Sequence, residues 1–325
     1  MRRILKYALY LIILLSVGIV SLGFYVKKAL PNVGPPVEET VERNAGRIER
    51  GKYLANHVTV CVDCHSSRDW SMFSGPLVPG SIGAGGEVFD RGLGFPGVFI
   101  SRNITPAGIG EMTDGQVIRA ITSGVDRQNL PLFSIMPYLH YGKMDLEDVK
   151  AIVAYIRTLA PVESRLQNSQ ADFPMNFIIH TIPKKAEFVT RPPESDSVAY
   201  GAYVTNAASC MDCHTVMEKG EYRTDLAFAG GFEFPMRNGS VVRSSNITPD
   251  ATGIQSWTEE QFVHRFKSME GKRIPVSEGQ FNTIMPWTMY GGMKESDLRA
   301  VYRYLRTVRP IENRVVKFTA GSNAH

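Results

Sequence analysis

Two short segments of the chain place two cysteines and a histidine at the spacing that attaches haem covalently. The segments are Cys61-Val62-Asp63-Cys64-His65 and Cys210-Met211-Asp212-Cys213-His214. In a C-x-x-C-H segment, the two thiols add to the two vinyl groups of a haem, and the histidine places an imidazole on the iron. The sequence therefore predicts two covalently attached haem c groups. They are held by Cys61, Cys64, Cys210 and Cys213.

Two other uses of paired cysteines fit the sequence less well. A zinc site made from two C-x-x-C pairs usually has those pairs about 15–20 residues apart, whereas most of a domain separates Cys64 from Cys210. Zinc would also leave both adjacent histidines without a role. A thioredoxin-like redox pair belongs in a βαβ unit, but the flanking sequence is typical of helices. All four cysteines of the chain lie in the two segments, so none remains for a disulfide framework.

The two segments belong to a longer internal repeat, in which residues 42–163 recur as residues 195–312. Matching stretches occur before and after each C-x-x-C-H segment. They are Arg50-Gly51-Lys52-Tyr53-Leu54 with Tyr200-Gly201-Ala202-Tyr203-Val204, Asn103-Ile104-Thr105-Pro106 with Asn246-Ile247-Thr248-Pro249, and Ile135-Met136-Pro137-Tyr138 with Ile284-Met285-Pro286-Trp287. The repeat predicts two similar domains, joined by a strap at residues 164–194 and followed by a tail at residues 313–325.

Positions shared by the two copies indicate the second axial ligand of each iron. Met136 and Met285 match each other, and each lies 71 positions after its haem histidine, His65 or His214. A following proline restricts each methionine to extended backbone, which suits a loop that presents a thioether to iron. We therefore predict four metal ligands, namely His65, Met136, His214 and Met285.

Other side chains compete for the same axial position. The chain has five further histidines, none with a histidine at the corresponding position of the other copy: His57, His140, His180, His264 and His325. Met144 and Met293 are a second matched pair of methionines. Because they come immediately before the last helix of each copy, packing at the entrance of that helix is the simpler role for them.

An iron with both axial positions filled by the protein has no place for a substrate. Histidine and methionine ligation also raises the reduction potential of a haem relative to two imidazoles. The pattern thus predicts one-electron transfer, without catalytic residues and without a small-molecule substrate.

Each copy has the pattern of a mainly helical domain with long loops. A middle helix is expected to start near Thr113 in the first copy and near Thr258 in the second, each a suitable N-cap. Apolar residues at helical spacing predict a last helix in each copy, and Asp145 is the expected cap of the first of them.

Residues 1–28 contain an apolar run long enough to cross a bilayer as a helix. A cleaved signal peptide is the alternative, but its apolar region would be shorter, about 7–15 residues, and would be followed by small residues. Haem attachment to C-x-x-C-H in bacteria takes place outside the cytoplasmic membrane. We therefore expect a single-pass anchor in the bacterial inner membrane, with Arg2, Arg3 and Lys6 inside and the haem domains in the periplasm.

The charge of the chain gives no support for nucleic-acid binding. Five of its 36 basic residues flank the apolar run: Arg2, Arg3, Lys6, Lys27 and Lys28. The other 31 are balanced by 32 acidic residues, whereas a nucleic-acid-binding protein needs a clustered basic surface. Residues 29–41, rich in proline and glycine, are expected to form a stiff spacer above the membrane.

On these residues the chain resembles the class I cytochrome c family, with two such domains in tandem. More narrowly, it is similar to the multihaem cytochrome c subunits of membrane-bound alcohol and gluconate dehydrogenase complexes. The shared features are C-x-x-C-H, Asn-Ile-Thr-Pro with a following Gly-Ile, Met-Pro-Tyr/Trp and a last helix rich in tyrosine. The resemblance implies that Met136 and Met285 are axial ligands. Those subunits typically carry three haem domains, whereas this chain has two.

The function expected from sequence is that of a membrane-anchored dihaem cytochrome in a respiratory chain. It would pass single electrons from a quinol-oxidising complex or dehydrogenase to a terminal oxidase or soluble carrier. Its expected partners are such a membrane complex and the lipid around its N-terminal helix. The alternatives are a dihaem peroxidase, which needs one haem with an open site, and a fixed haem relay within a respiratory supercomplex.

Overall fold

The computed structural model describes residues 1–277 and 279–321 of the chain, and helices dominate it. The first helix, α1 (Arg2–Ala29), buries none of its residues against the rest of the protein. Among the described residues it is the one helix long and apolar enough to cross a membrane, although a signal sequence at an N-terminus would have the same properties. Residues 322–325 of the predicted tail, including His325, lie outside the described residues.

The first half of the protein, residues 42–163, contains six helices and two short antiparallel strands. They are α2 (Ala45–Tyr53), α3 (Cys61–Cys64), β1 (Val88–Phe89), β2 (Gly97–Ile100), α4 (Pro106–Ile109), α5 (Asp114–Ser123), α6 (Tyr138–Tyr141) and α7 (Leu146–Ile156). A π-helical turn at Leu54–Val58 continues α2 towards the first cysteine segment.

The strap between the halves, residues 164–194, adds a strand and a short helix. Strand β3 (Gln170–Ala171) pairs with β2, and α8 (Met175–Ile178) lies beside the end of α1. The Lys27 ammonium is 4.5 Å from the centroid of the Phe177 ring, and His180 Nδ1 lies 3.1 Å from the Leu30 carbonyl oxygen. The strap thus connects the end of α1 to the sheet of the first half.

The second half, residues 195–312, repeats the helices and adds more strands. Its elements are α9 (Ser197–Ala207), α10 (Cys210–His214), β4 (Met217–Glu218), β5 (Glu221–Tyr222), β6 (Glu233–Pro235), β7 (Val241–Arg243), α11 (Glu259–Lys267), α12 (Trp287–Tyr290) and α13 (Glu295–Leu305). Strand β8 (Phe318–Thr319), from the tail, pairs antiparallel with β7. The eight short strands were not predicted from the sequence.

A close crossing of two helices forms the centre of each half. Helix α2 packs on α7 in the first half, and α9 packs on α13 in the second. A glycine permits the approach in both cases, because a Cβ at Gly51 would lie 1.7 Å from the Ala151 carbonyl oxygen and one at Gly201 would lie 2.0 Å from that of Ala300. These glycines belong to the matching stretches that revealed the repeat.

The predicted helix starts are confirmed. Thr113 and Thr258 each accept a hydrogen bond from the backbone N–H three residues on, and a glutamine at that position completes a capping box. Asp145 caps α7 through the N–H of Glu147. The two middle helices and the last helix of the first half therefore begin where the sequence placed them.

The spacer predicted at residues 29–41 is non-helical after Ala29, the last residue of α1, and it lies against the first half. Val41 is only 3% exposed, and its N–H donates to Asp114 Oδ2 at 2.9 Å. Val33 is also buried. Because these residues pack on the protein, the spacer is part of the first half rather than a free stalk.

The two halves pack together through two reciprocal contacts. Tyr53 of the first half donates its hydroxyl to Asp297 Oδ2 at 2.6 Å, and Tyr203 of the second donates to Asp148 Oδ2 at 2.7 Å. Both carboxylates are buried. A single apolar core includes residues from both halves, so the interface is continuous with the interior of each.

Candidate functional site

Each cysteine segment forms a short helix that follows a residue with left-handed backbone. Val60 precedes α3 with φ 44°, and Ser209 precedes α10 with φ 52°. This conformation is costly for a non-glycine residue, and most of all for a β-branched one such as valine. Backbone strain of this kind concentrates at functional sites, and here it occurs at the same position of both halves.

The thiols do not have the properties of a redox pair. Burial raises the pKa of Cys64 and of Cys210 to about 12. Catalytic C-x-x-C pairs instead have a thiol whose pKa is lowered. All four cysteines are free of disulfides. Among the described residues, no group of three or more histidine, cysteine or acidic side chains is placed to bind a metal ion.

The two histidines predicted to bind haem iron are held by the same kind of backbone hydrogen bond. His65 Nδ1 donates to the Arg102 carbonyl oxygen at 2.6 Å, and His214 Nδ1 donates to that of Ser245 at 2.7 Å. A proton on Nδ1 leaves Nε2 as the free nitrogen, and such a bond is what usually fixes the ring of a metal-binding histidine. Burial lowers the pKa of both imidazoles against the effect of this bond, which favours the neutral form that binds metal.

The residue after each of these carbonyl groups is the asparagine of Asn-Ile-Thr-Pro. Asn103 donates to the Val162 carbonyl oxygen at 2.7 Å, and Asn246 donates to that of Ile311 at 2.8 Å. The side-chain oxygen of Asn103 also accepts from the N–H of Thr105 at 2.9 Å. Both asparagines therefore hold the loop that carries the acceptor for the haem histidine.

The two predicted methionine ligands lie partly buried at the edge of the core. Met136 and Met285 pack against the same apolar cluster as Cys61 and Cys210. Met144 and Met293, the competing pair, are 0% and 2% exposed and belong to the core itself. Their position agrees with the packing role that the sequence favoured for them.

Two of the remaining histidines, His57 and His140, have partners in the opposite half. His57 Nδ1 lies 2.9 Å from the Met289 carbonyl oxygen. His140 uses both ring nitrogens, one on Asn206 at 2.8 Å and the other on Asp212 at 2.7 Å. The structure thus places these two histidines at the interface between the halves.

A feature that the sequence showed without explaining is the aspartate inside each cysteine segment. Asp63 forms an ion pair with Arg68 of its own half at 3.0 Å, whereas Asp212 contacts His140 of the other half. Burial raises the pKa of Asp63 to about 6, although the charge of Arg68 opposes that shift. The sequence shows an aspartate at the same position of both cysteine segments. The residue that each aspartate contacts lies at a different place in the repeat, so the sequence did not reveal it.

Several buried hydroxyl groups beside these residues lack a partner among the described residues. They belong to Tyr138, Ser209 and Thr288. Tyr138 follows the Met136-Pro137 pair, and Ser209 directly precedes Cys210. A haem with its propionate groups supplies both apolar surface and acceptors, so the residues present fit this cofactor.

Comparison with known proteins identifies the second half. Residues 198–309 match the family model for cytochrome c. They form a cytochrome c domain. Such a domain implies a covalently bound haem c, and its C-x-x-C-H segment is Cys210–His214.

Most of the chain is homologous to cytochrome c subunits of dehydrogenases. It is 24% identical over 294 residues to the cytochrome c subunit of a quinone alcohol dehydrogenase from Gluconacetobacter polyoxogenes, covering 86% of this chain and 59% of that protein. It is 29% identical over 275 residues to the fructose dehydrogenase cytochrome subunit of Gluconobacter japonicus, covering 80% and 52%. The chain thus spans between about half and three-fifths of the length of these relatives.

A further relative has a length closer to that of this chain. It is a diheme cytochrome c-type protein of Cereibacter sphaeroides, 24% identical over 266 residues, which cover 78% of this chain and 83% of that protein. These relatives are named as cytochromes or as cytochrome subunits, and electron transfer is the role that this homology supports.

Proposed function

We propose that the chain is a membrane-anchored dihaem cytochrome, with one haem c in each half and His65/Met136 and His214/Met285 as the axial pairs. The observation that carries the proposal is the matched hydrogen bond of the two haem histidines. Because His65 and His214 donate to carbonyl groups at equivalent positions, the first half presents an imidazole in the same way as the cytochrome c domain does.

Domain boundaries follow from this proposal. Residues 1–28 are the anchor, 29–41 the spacer, 42–163 the first haem domain, 164–194 the strap, 195–312 the second haem domain and 313–325 the tail. The equivalent helix crossings at Gly51 and Gly201 support two domains of one type.

Haem iron, when bound, supplies a reversible one-electron couple. The chain contributes both axial ligands, and thioether ligation favours the ferrous state and raises the potential. Met136 and Met285 both pack against the apolar core. With both axial positions filled, the residues support electron transfer and leave no open site for peroxide.

The interface offers a short connection between the two haem sites. Asp212, inside the second cysteine segment, contacts His140, four residues after Met136. His57, four residues before Cys61, contacts the Met289 carbonyl group, four residues after Met285. Each attachment segment therefore lies next to the ligand loop of the other half, and electrons would pass between the halves here.

The proposed partner is a membrane-bound dehydrogenase or quinol-oxidising complex, and the acceptor a terminal oxidase or soluble carrier. Homology to cytochrome subunits of dehydrogenases supports this assignment. Helix α1 would anchor the chain in the inner membrane with the haem domains in the periplasm. Basic residues before the apolar run agree with that orientation.

Haem content of purified protein tests the proposal. We expect two covalent haems per chain, and one in each variant that replaces a cysteine pair, Cys61→Ala/Cys64→Ala or Cys210→Ala/Cys213→Ala. Each variant is the control for the other, because it leaves the opposite segment intact. A single haem in the parent protein that is fully retained in the first variant would show that residues 42–163 do not attach one.

Removal of α1 tests the anchor separately. A chain without residues 1–28, exported with a cleavable signal, is expected to leave the membrane fraction with both haems attached. If the trimmed chain stayed on membranes stripped of other proteins, α1 would not be the anchor.

A further inference from the structure

The loop that carries Met285 in the second half, which we call its methionine loop, is held by a loop from the first half. The loop from the first half is residues 68–77, and we call it the bracing loop. Ser74 donates its hydroxyl to the Met285 carbonyl oxygen at 2.6 Å and accepts from the N–H of Trp287 at 2.9 Å. One side chain thus bridges the backbone on both sides of Pro286. Ser74 is completely buried, although its φ of 65° is in the left-handed region that favours glycine.

Neighbouring residues strengthen this contact. The N–H of Ser74 donates to Asn282 Oδ1 at 2.9 Å, and that oxygen also accepts from the N–H of Thr283 at 2.7 Å. The N–H of Phe73 donates to the Ile274 carbonyl oxygen at 2.7 Å. Because backbone groups of both loops take part, the bracing loop fixes the conformation of the methionine loop rather than only touching it.

The other end of the bracing loop is tied to the first cysteine segment. Arg68 donates to the Ser74 carbonyl oxygen at 2.8 Å and to that of Gly75 at 2.9 Å, and it pairs with Asp63 at 3.0 Å. Both charged side chains are almost fully buried. One ion pair and two hydrogen bonds therefore connect the first cysteine segment, through Arg68 and Ser74, to Met285.

The methionine loop of the first half has no such support from the second. Where the chain is described, the hydrogen bonds of residues 131–136 come from the first half itself, as from Leu132 N–H to the Gly124 carbonyl group. Phe133 stacks on Phe99 with ring centroids 3.9 Å apart. The second half has the β4–β5 hairpin after its cysteine segment in place of a bracing loop.

We propose that Ser74 and the bracing loop position the axial methionine of the second haem. The inference rests on the proposed function, in which Met285 binds that iron. The two bonds of Ser74 oppose any outward movement of the loop that would detach the thioether. Ser74 is a positioning residue, since it acts through the backbone of Met285 and Trp287.

The test uses NMR to observe the methyl groups of Met136 and Met285. The sample is the full-length, fully reduced protein with carbon-13 in its methionine methyl groups. A haem ring current moves the signal of a bound methionine away from all others, and Met136→Leu and Met285→Leu assign the two shifted signals. Ser74→Gly removes the hydroxyl without straining the left-handed backbone. We expect the detached fraction of Met285 to rise about tenfold, the effect of losing two ordinary hydrogen bonds, while the Met136 signal is unchanged.

A second variant and a control complete the design. Ser74→Ala should give the same change, and the midpoint potential of the second haem should fall in both variants. Ser71→Ala is the matched control, because that hydroxyl donates to Asp69 within the bracing loop, and it should change neither signal.

An unchanged Met285 signal in Ser74→Gly, or equal broadening of both methionine signals, would overturn the inference. Absence of a shifted Met285 signal from the parent protein would instead refute the ligand assignment, and the inference with it. That failure is recognised before any Ser74 variant is made.

Discussion

The last helix of each half buries one carboxylate at the interface between the halves, Asp148 on α7 and Asp297 on α13. Both accept a hydrogen bond from a tyrosine of the opposite half. Asp148 also accepts two bonds from Arg50, at 2.9 and 2.8 Å, and one from Arg191 at 2.9 Å. Asp297 has a second tyrosine instead, since the residue that matches Arg50 is Tyr200, whose hydroxyl lies at 3.3 Å.

This difference separates what the duplication kept from what it changed. The tyrosine contacts and the helix crossings occur in both halves, and so do the residues predicted to bind haem. The charged partners of Asp148 and the bracing loop at Met285 each occur in one half only. We infer that the geometry around the residues predicted to bind haem was retained while the interactions that support it diverged.

The strongest test of equivalence between the halves is removal of each methionine proposed as a ligand. Met136→Leu and Met285→Leu should each abolish the ferric sulfur-to-iron charge-transfer band of one haem, leaving about half of the band intensity. The potential of the affected haem should fall because the soft ligand that favours ferrous iron is lost. Absorption spectra with a redox titration measure both effects.

Met144→Leu and Met293→Leu are the matched controls for those variants. They should keep both bands, since these methionines lie in the core. A variant of Met136 or Met285 that kept the full band intensity would refute its assignment as a ligand.

Neutralising the two interface carboxylates should affect stability unequally. Asp148→Asn leaves Arg50 and Arg191 without their anionic partner and should lower the free energy of unfolding by about 2–4 kcal/mol. Asp297→Asn loses only charge-assisted bonds from the hydroxyl groups of two tyrosines and Ser296, and should cost about 1 kcal/mol. Denaturant unfolding of the holoprotein measures both values, and equal losses would contradict the difference described here.

Acid should reveal the same difference. Burial alone would raise the pKa of Asp148, but the hydrogen bond and charge of Arg50 outweigh it, and the pKa is lowered. A carboxyl with a lowered pKa in the folded state stabilises the fold above its unfolded pKa, and that contribution is lost as the pH falls through the folded pKa. Between about pH 5 and pH 3, the free energy of unfolding of the parent protein should therefore fall more steeply than that of Asp148→Asn. Parallel curves would show that Asp148 does not contribute.

The smallest effect is expected from removing the aromatic contact that supports the loop carrying Met136. Phe133→Ala removes the stack on Phe99 and should destabilise the protein by about 1–2 kcal/mol, because Phe133 is only partly buried. It should also loosen Met136 without changing Met285, the reverse of the Ser74 variants. A change in the Met285 methyl signal would show that the two loops do not respond separately.

Much of the site was predictable because its chemistry is local in sequence. The C-x-x-C-H segments and the Thr113 and Thr258 caps need only residues within one helical turn, and the internal repeat provided the pairing of Met136 with Met285. The carbonyl acceptors of His65 and His214 were not predictable, since no side chain marks them.

The interactions between the halves were beyond reach of the sequence for a physical reason. Ser74 and Met285 are separated by 211 positions, and no periodicity connects residues so far apart. Comparison of the two copies could not reveal these contacts either, because it detects only residues that the copies share. Arg50, which has no basic counterpart, received no role from the sequence, yet it forms the ion pair with Asp148.

A carbon monoxide difference spectrum of the fully reduced protein tests the central claim most directly. If both irons carry a histidine and a methionine of this chain, carbon monoxide should bind neither haem, and the electron-transfer function stands. Binding at one haem would reveal an iron with an open or easily displaced ligand. That result would contradict the account and favour a haem enzyme such as a dihaem peroxidase.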